Sequence, residues 1–84
     1  MNRKQRAVLE QVFARPARAN VRWTDIESLF RALGATVSQG RGSRVRVELS
    51  DQRATFHRPH PSPFADKGAL TAVRMFLENA GVTP

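Results

Sequence analysis

The stretch SRVRVELSDQRATFH, residues 43–57, alternates apolar and polar side chains on both sides of a polar turn at Ser50 and Asp51. Alternation with a period of two is typical of strands that bury one face. Only an odd sum of paired residue numbers keeps both apolar sets on the same face, and a turn centred on Ser50 and Asp51 makes that sum 101. The stretch therefore predicts an antiparallel hairpin with a defined register.

This register predicts the neighbours on each face of the hairpin. The expected pairs, first on the buried and then on the exposed face, are Val47–Ala54, Val45–Phe56, Glu48–Arg53, Arg46–Thr55 and Arg44–His57. Directly opposed side chains lie about 4.5–5.5 Å apart at Cβ. His57 should therefore lie beside an arginine on an exposed face.

The clearest helix signal precedes the hairpin, in TDIESLFRALG, residues 24–34. Thr24 can cap the helix while Glu27 reaches back to complete a capping box. Gly34 stands where a C-terminal cap belongs. The helix should bury a single stripe, made of Ile26, Leu29, Phe30 and Leu33.

Two further helices are expected, one towards each end of the chain. The N-terminal helix should stop before Pro16, because proline cannot continue a helix interior, and its apolar side is Val8, Leu9, Val12 and Phe13. The C-terminal helix should start at a cap formed by Asp66 or Ser62 and end at Gly81, with Val82 in a Schellman contact. Its expected buried side is Leu70, Val73, Met75, Phe76, Leu77 and Ala80.

Residues 35–39, ATVSQ, are a candidate first strand. Residues 17–23, ARANVRW, form a linker with a possible extended piece at 20–23, and RPHPSPF is an extended, proline-rich connector. The fold class is α+β, with order α-β-β-β-α after an extra N-terminal helix. A three-stranded antiparallel sheet would carry helices on one face, which is the architecture of a double-stranded-RNA-binding domain. We expect residues 1–22 to be a helical extension and linker, and residues 23–84 to be the RNA-binding domain.

Charge is the most informative part of the composition. Fourteen lysines and arginines against seven acids give a net charge of +7, and twelve of the fourteen cations are arginine. Arginine matches phosphate geometry and stacks on bases, so nucleic acid is the favoured partner, ahead of an acidic protein. A generic basic surface is the alternative. The chain has no cysteine, no apolar run near the roughly 20 residues of a membrane span and no signal-peptide pattern, so we expect a cytoplasmic location without membrane contact.

From Trp23 onward, the chain resembles the HicA family of bacterial toxins. The resemblance covers roughly residues 24–83 and depends on the order of LFRALGA, GRGSRVRV, FHRPHP and DKGALTAVRMFLENAGV. It implies an RNA-cleaving toxin on a double-stranded-RNA-binding-like fold, held inactive by a HicB antitoxin. In that family the catalytic histidine follows Gly-Ser, whereas this chain has Arg44 after Gly42 and Ser43.

The expected register suggests a replacement for that histidine. RNA cleavage without a metal needs a base for the 2′-hydroxyl, a cation for the charge of the phosphorane and an acid for the leaving oxygen. Histidine supplies acid–base catalysis worth about 10²–10⁴-fold, so His57 could act as the base while Arg44 stabilises the phosphate. His60 matches the P-H-P histidine of the family and could be a second acid–base group or position the substrate. The alternatives are a phosphate-binding or idle His57 and a structural His60.

An RNA-binding surface is expected around this pair. Gly40 to Ser43 offer flexible backbone N–H groups for phosphate, although the same residues are typical of a plain hairpin turn. Lys67 begins a helix, where phosphate often binds, and Trp23 and Phe64 could stack bases or simply pack in the core. The predicted RNA-binding residues are Arg41, Ser43, Arg46, Arg53, Arg58 and Lys67.

The sequence therefore predicts a metal-independent mRNA endoribonuclease of a toxin–antitoxin pair, with mRNA and a HicB-like antitoxin as partners and no cofactor. A metal site is disfavoured because His57 and His60 lack further ligands, and the acids are scattered. Two alternatives stay open: a non-catalytic nucleic-acid-binding module that has lost the catalytic histidine, and a subunit that binds only protein. The cations of the N-terminal helix could serve an antitoxin or solvation alone.

Overall fold

The computed structural model describes residues 1–18 and 20–84; Ala19, in the predicted linker, lies outside the described residues. The order of elements confirms the predicted α+β class, with α-β-β-β-α after an additional first helix. The elements are α1 (Arg3–Phe13), α2 (Trp23–Ala32), β1 (Thr36–Gln39), β2 (Arg44–Leu49), β3 (Gln52–His57) and α3 (Lys67–Asn79).

The sheet is antiparallel with strand order β1-β2-β3, and its hairpin has the predicted register. All five expected pairs between β2 and β3 are present, including Arg44 opposite His57. Burial alternates strictly along β2: Val45, Val47 and Leu49 are buried, and the residues between them are exposed. One face of the sheet is therefore apolar, and the other carries arginine.

The helices lie on the apolar face of the sheet. α2 contacts β1, α3 contacts β3, and α1 packs against both α2 and α3. Phe30, Phe56 and Phe76 meet between sheet and helices with ring centroids 5.7–5.8 Å apart. α1 joins the same core through Val8, Leu9 and Val12, which are at most 3% exposed. Burying an aliphatic side chain of this size stabilises the fold by about 1.5–3 kcal/mol, so α1 is held firmly.

Both predicted glycine caps are present. Gly34 (φ +90°) and Gly81 (φ +82°) adopt left-handed backbone conformations. Ala35 donates its N–H to the carbonyl of Phe30 over 2.9 Å, and Val82 donates to that of Leu77 over 2.8 Å. These are Schellman bonds, which satisfy carbonyls left free at the end of a helix. Asp66 caps α3 by accepting from Ala69 N–H at 2.7 Å.

Two details of the predicted helices are wrong. α2 begins at Trp23 with Arg22 as its N-cap, so Thr24 and Glu27 form no capping box. The start is displaced because Arg22 forms a β-bridge with Phe64 and Trp23 donates its N–H to the Pro63 carbonyl at 2.9 Å. Met75, expected in the core, is 54% exposed, because its position on α3 faces away from the buried stripe.

The linker before α2 and the connector after β3 hold each other in place. Arg22 and Phe64 form the bridge, and Ala65 donates its N–H to the Val21 carbonyl at 2.9 Å. Val21 and Ala65 are both buried. The proline-rich connector is therefore attached to the core rather than free.

Candidate nucleic-acid interface

The exposed face of the sheet carries three arginines among short polar side chains. Arg46 lies between Ser38 of β1 and Thr55 of β3, and its neighbours in β2 on this face are Arg44 and Glu48. Arg53 approaches Glu48 at 3.8 Å, but both side chains are more than half exposed, so this pair is weak. Arg46, Glu48, Arg53 and Thr55 line a depression at the centre of the face. The face is cationic and open, as a phosphate backbone requires.

Arg44 and His57 lie at one end of this face, as the predicted register requires. They line a second depression together with Arg41, Gly42 and Ser43. The backbone around the pair is tied down, since Arg58 donates its N–H to the Ser43 carbonyl at 2.7 Å. The predicted base, the predicted phosphate ligand and the Gly-Ser turn are thus brought together in one exposed place.

Gly40 directly follows β1 and donates its N–H to the Arg44 carbonyl at 2.8 Å. A Cβ at Gly40 would lie 3.3 Å from the Cβ of Arg44, which is closer than the usual spacing of cross-strand pairs. The absence of a side chain at Gly40 therefore leaves room beside Arg44. No sequence signal distinguished this glycine from an ordinary turn residue.

Three of the predicted site residues lie away from the Arg44–His57 pair. Arg58 continues the alternation of β3, so its side chain lies on the helix-bearing face, where it donates to the side-chain carbonyl of Gln39. His60 and Lys67 line a separate depression beside the connector, together with Ser62 and the half-exposed Phe64. The guanidinium of Arg22 lies 5.2 Å from the centroid of the Phe64 ring.

A polar cluster behind the sheet was missed by the sequence analysis. Glu27 is the one buried charged residue in the part of the chain that the structure describes. Its carboxylate accepts from Trp23 Nε1 at 2.5 Å and from Gln39 Nε2 at 3.4 Å. Because Gln39 also accepts from Arg58, the cluster connects α2 to β1 and to the connector. The spacing of Trp23 and Glu27, one helical turn apart, was the available signal.

Neither a metal-binding cluster nor a membrane-spanning helix occurs in the described residues. Within residues 1–18 and 20–84, no three His, Asp or Glu side chains lie close enough together to hold a metal ion. Over the same residues, no helix has the length and apolar character needed to cross a bilayer.

Comparison with known proteins identifies the family. No curated protein and no solved structure matches the chain. The family model described as the HicA toxin of bacterial toxin–antitoxin matches residues 23–82. This match covers α2, the whole sheet and α3, which is well over half of the chain. The protein therefore belongs to the HicA toxin family.

Proposed function

We propose that this toxin binds mRNA across the arginine face of its sheet and cleaves it without a metal ion. The observation that carries the proposal is the cross-strand pair of Arg44 and His57 in an exposed depression. Family membership implies a cognate antitoxin. We propose a HicB-like protein in this role, which would inhibit cleavage.

His57 is the proposed base. It takes the proton of a ribose 2′-hydroxyl, whose oxygen then attacks the adjacent phosphorus. The bond from phosphorus to the 5′-oxygen of the next nucleotide breaks, and that oxygen takes a proton from water. The products are a 2′,3′-cyclic phosphate and a 5′-hydroxyl, so a substrate with 2′-deoxyribose at the cleaved position should bind and stay intact.

Arg44 is the proposed electrostatic partner of this base. Negative charge accumulates on the phosphate oxygens during the attack, and a guanidinium held nearby stabilises that charge. Arg44 is a direct neighbour of His57 in the ladder, so both side chains can reach one phosphate. The arrangement replaces a histidine after Gly-Ser with a histidine on the opposite strand.

The remaining cations have proposed roles in holding the RNA. Arg41 and Ser43 lie in the same depression as the pair, and Arg46 and Arg53 extend the surface along the sheet. Lys67 is a proposed contact with RNA that leaves the sheet towards the connector, whereas the side chain of Arg58 lies on the helix-bearing face with Gln39. His60 lines a different depression, which favours substrate positioning over direct proton transfer.

The test is RNA cleavage by purified protein in the presence of EDTA. Wild-type protein should cleave, and His57→Ala should lose at least about 10²-fold in rate while retaining RNA in a gel-shift assay. The matched control is His60→Ala, which should change the apparent affinity more than the rate of the bound complex. Undiminished cleavage by both variants would eliminate the histidine mechanism.

A second candidate function is a non-catalytic RNA- or DNA-binding module. The observation in its favour is Arg44 at the position where the resemblance places the catalytic histidine. This candidate expects salt-dependent binding through the same arginine face, no cleavage at any protein concentration and no growth arrest when the protein is induced. Growth arrest that depends on His57 would decide against it.

A further inference from the structure

The net charge of the chain is concentrated outside the part that matches the toxin family. Residues 1–22 contain six cations and one acid, a net charge of +5, whereas residues 23–84 contain eight cations and six acids, a net charge of +2. The family match begins at Trp23. Most of the net positive charge therefore lies in a segment that the arginine face of the sheet does not include.

The helix of this charged segment, α1, is a fixed part of the fold. α1 packs on α2 and α3, and these helices cover the apolar face of the sheet. Arg3 and Arg6 are exposed on α1, while Val8, Leu9 and Val12 face the core. α1 and the arginine face thus lie on different sides of a molecule with extents of 31 × 29 × 21 Å.

Within the described residues, most cations of this segment have no side-chain partner. Lys4 forms an ion pair with Asp25 at 3.6 Å, and Arg22 stacks on Phe64. Within residues 1–18 and 20–84, the structure gives no side-chain hydrogen bond or ion pair to Arg3, Arg6, Arg15 or Arg18, and all four are exposed. We name these four residues, two on α1 and two in the linker that follows it, the α1 basic surface.

The composition of this surface favours nucleic acid over protein as its partner. Arginine is also enriched in protein interfaces, but there it accompanies aromatic residues and methionine, while lysine, acids and alanine are depleted. The exposed positions of α1 are Arg3, Lys4, Arg6, Ala7 and Glu10, none of which is a large apolar residue. Phosphate contacts, in contrast, need only exposed cations and are driven by the release of counterions.

We propose that the α1 basic surface is a second RNA contact, which binds the phosphate backbone of the strand beyond the segment held on the sheet. The proposal rests on the proposed RNA-binding function. A short RNA can occupy the sheet alone, whereas a long RNA can pass around the domain and reach α1. The extension therefore selects long RNA through affinity, without reading its sequence.

The experiment compares two charge-neutralised variants on RNA of two lengths. One variant replaces Arg3, Arg6, Arg15 and Arg18 by glutamine, and the comparison variant replaces Arg46 and Arg53 of the sheet by glutamine. Binding is measured by fluorescence anisotropy on 2′-O-methyl RNA, which lacks the attacking hydroxyl and stays intact. The short RNA has about 6 nucleotides, within the site size of a small single-strand-binding domain. The long RNA has about 40 nucleotides. Thermal unfolding checks that both variants are folded.

The α1 variant should bind the long RNA about tenfold more weakly than wild type and the short RNA within about twofold. Its salt slope on the long RNA should fall by about 0.7 for each phosphate that the variant no longer neutralises. The sheet variant should weaken binding to both lengths. A long RNA offers more binding sites than a short one. This difference does not affect the result, because each variant is compared with wild type on the same RNA.

Equal affinity of the α1 variant and wild type for the long RNA would overturn the second contact. If the sheet variant still bound RNA more weakly than wild type, the proposed function would be unaffected. An α1 variant that keeps its RNA affinity but binds the antitoxin more weakly would assign the surface to that protein and would also overturn the proposal. Weaker RNA binding by the α1 variant alone would support the second contact and contradict RNA binding by the sheet.

Discussion

The indole N–H of Trp23 donates to a carboxylate oxygen of Glu27, which lies one turn later in α2 and 2.5 Å away. Trp23 is 2% exposed and Glu27 is 9% exposed. Arg31, at 3.6 Å, is a further neighbour of the same carboxylate. A charge at this depth is tolerated because it is hydrogen-bonded and paired, and the bond holds the largest aromatic side chain of the core in position.

Replacement of Glu27 should therefore be costly. Glu27→Ala leaves the buried Trp23 N–H without an acceptor and should lower the free energy of unfolding by about 3 kcal/mol. Glu27→Gln keeps an acceptor of similar size and should cost about 1 kcal/mol. Urea unfolding followed by Trp23 fluorescence measures both. Equal stability of Glu27→Ala and wild type would show that the bond contributes nothing.

Replacement of Gly34 should lower the stability of the protein through the backbone conformation alone. At φ +90°, an added Cβ meets nothing within 4 Å, so Gly34→Ala should lose about 1–2 kcal/mol through the left-handed conformation itself. Gly68→Ala is the control, because its Cβ would make an ordinary 3.5 Å contact with Asp66. Alanine is the better helix former by about 1 kcal/mol, so Gly68→Ala should be neutral or stabilising. In thermal unfolding, Gly34→Ala should have a lower Tm than wild type, and Gly68→Ala should have an equal or higher Tm.

Exchange of the proposed catalytic pair tests whether position or chemistry matters. Arg44→His combined with His57→Arg keeps both side chains on directly opposed positions and places histidine after Gly-Ser, as the family resemblance implies. The double variant should retain cleavage within about 10²-fold of wild type, whereas Arg44→Ala with His57→Ala should be inactive. Single-turnover cleavage in EDTA measures both. Equal inactivity of the two double variants would indicate that the pair is not interchangeable.

The sheet surface should show its phosphate contacts in the salt dependence of binding. Arg46→Gln should reduce the slope of log affinity against log salt by about 0.7 for single-stranded RNA. Arg31→Gln removes one charge from α2 instead and should leave the slope unchanged. Titrations over a series of salt concentrations, with the short 2′-O-methyl RNA, provide the comparison. Identical slopes for both variants would indicate a diffuse charge effect rather than a contact at Arg46.

The hairpin and its Arg44–His57 pair could be predicted from two local features. The strict alternation of apolar and polar residues allows only pairings whose residue numbers have an odd sum, and the turn at Ser50 and Asp51 selects one of these pairings. The glycine caps were predictable for a similar reason: left-handed backbone at the end of a helix strongly favours glycine. In both cases a local rule determines the geometry. The pairing of histidine with arginine followed without knowledge of any contact between helices and sheet.

The features that were missed depend on contacts between distant segments. The start of α2 at Trp23 is set by the Pro63 carbonyl, which no local capping rule includes. Glu27 turned inward because Trp23 and Gln39 offer donors there. Arg58 was expected at the RNA surface, but its side chain lies behind the sheet with Gln39. Alternation beyond the end of β3 would have indicated that face.

The bridge between Arg22 and Phe64 has a mechanical consequence. It closes the chain into a loop that contains α2 and all three strands, while α1 and α3 extend from the two ends of the closure and pack on each other. The connector at Phe64 and the residues just before α2 are therefore held together by backbone hydrogen bonds. A ligand bound beside His60 would therefore contact the closure itself, next to the residues that lead into α2.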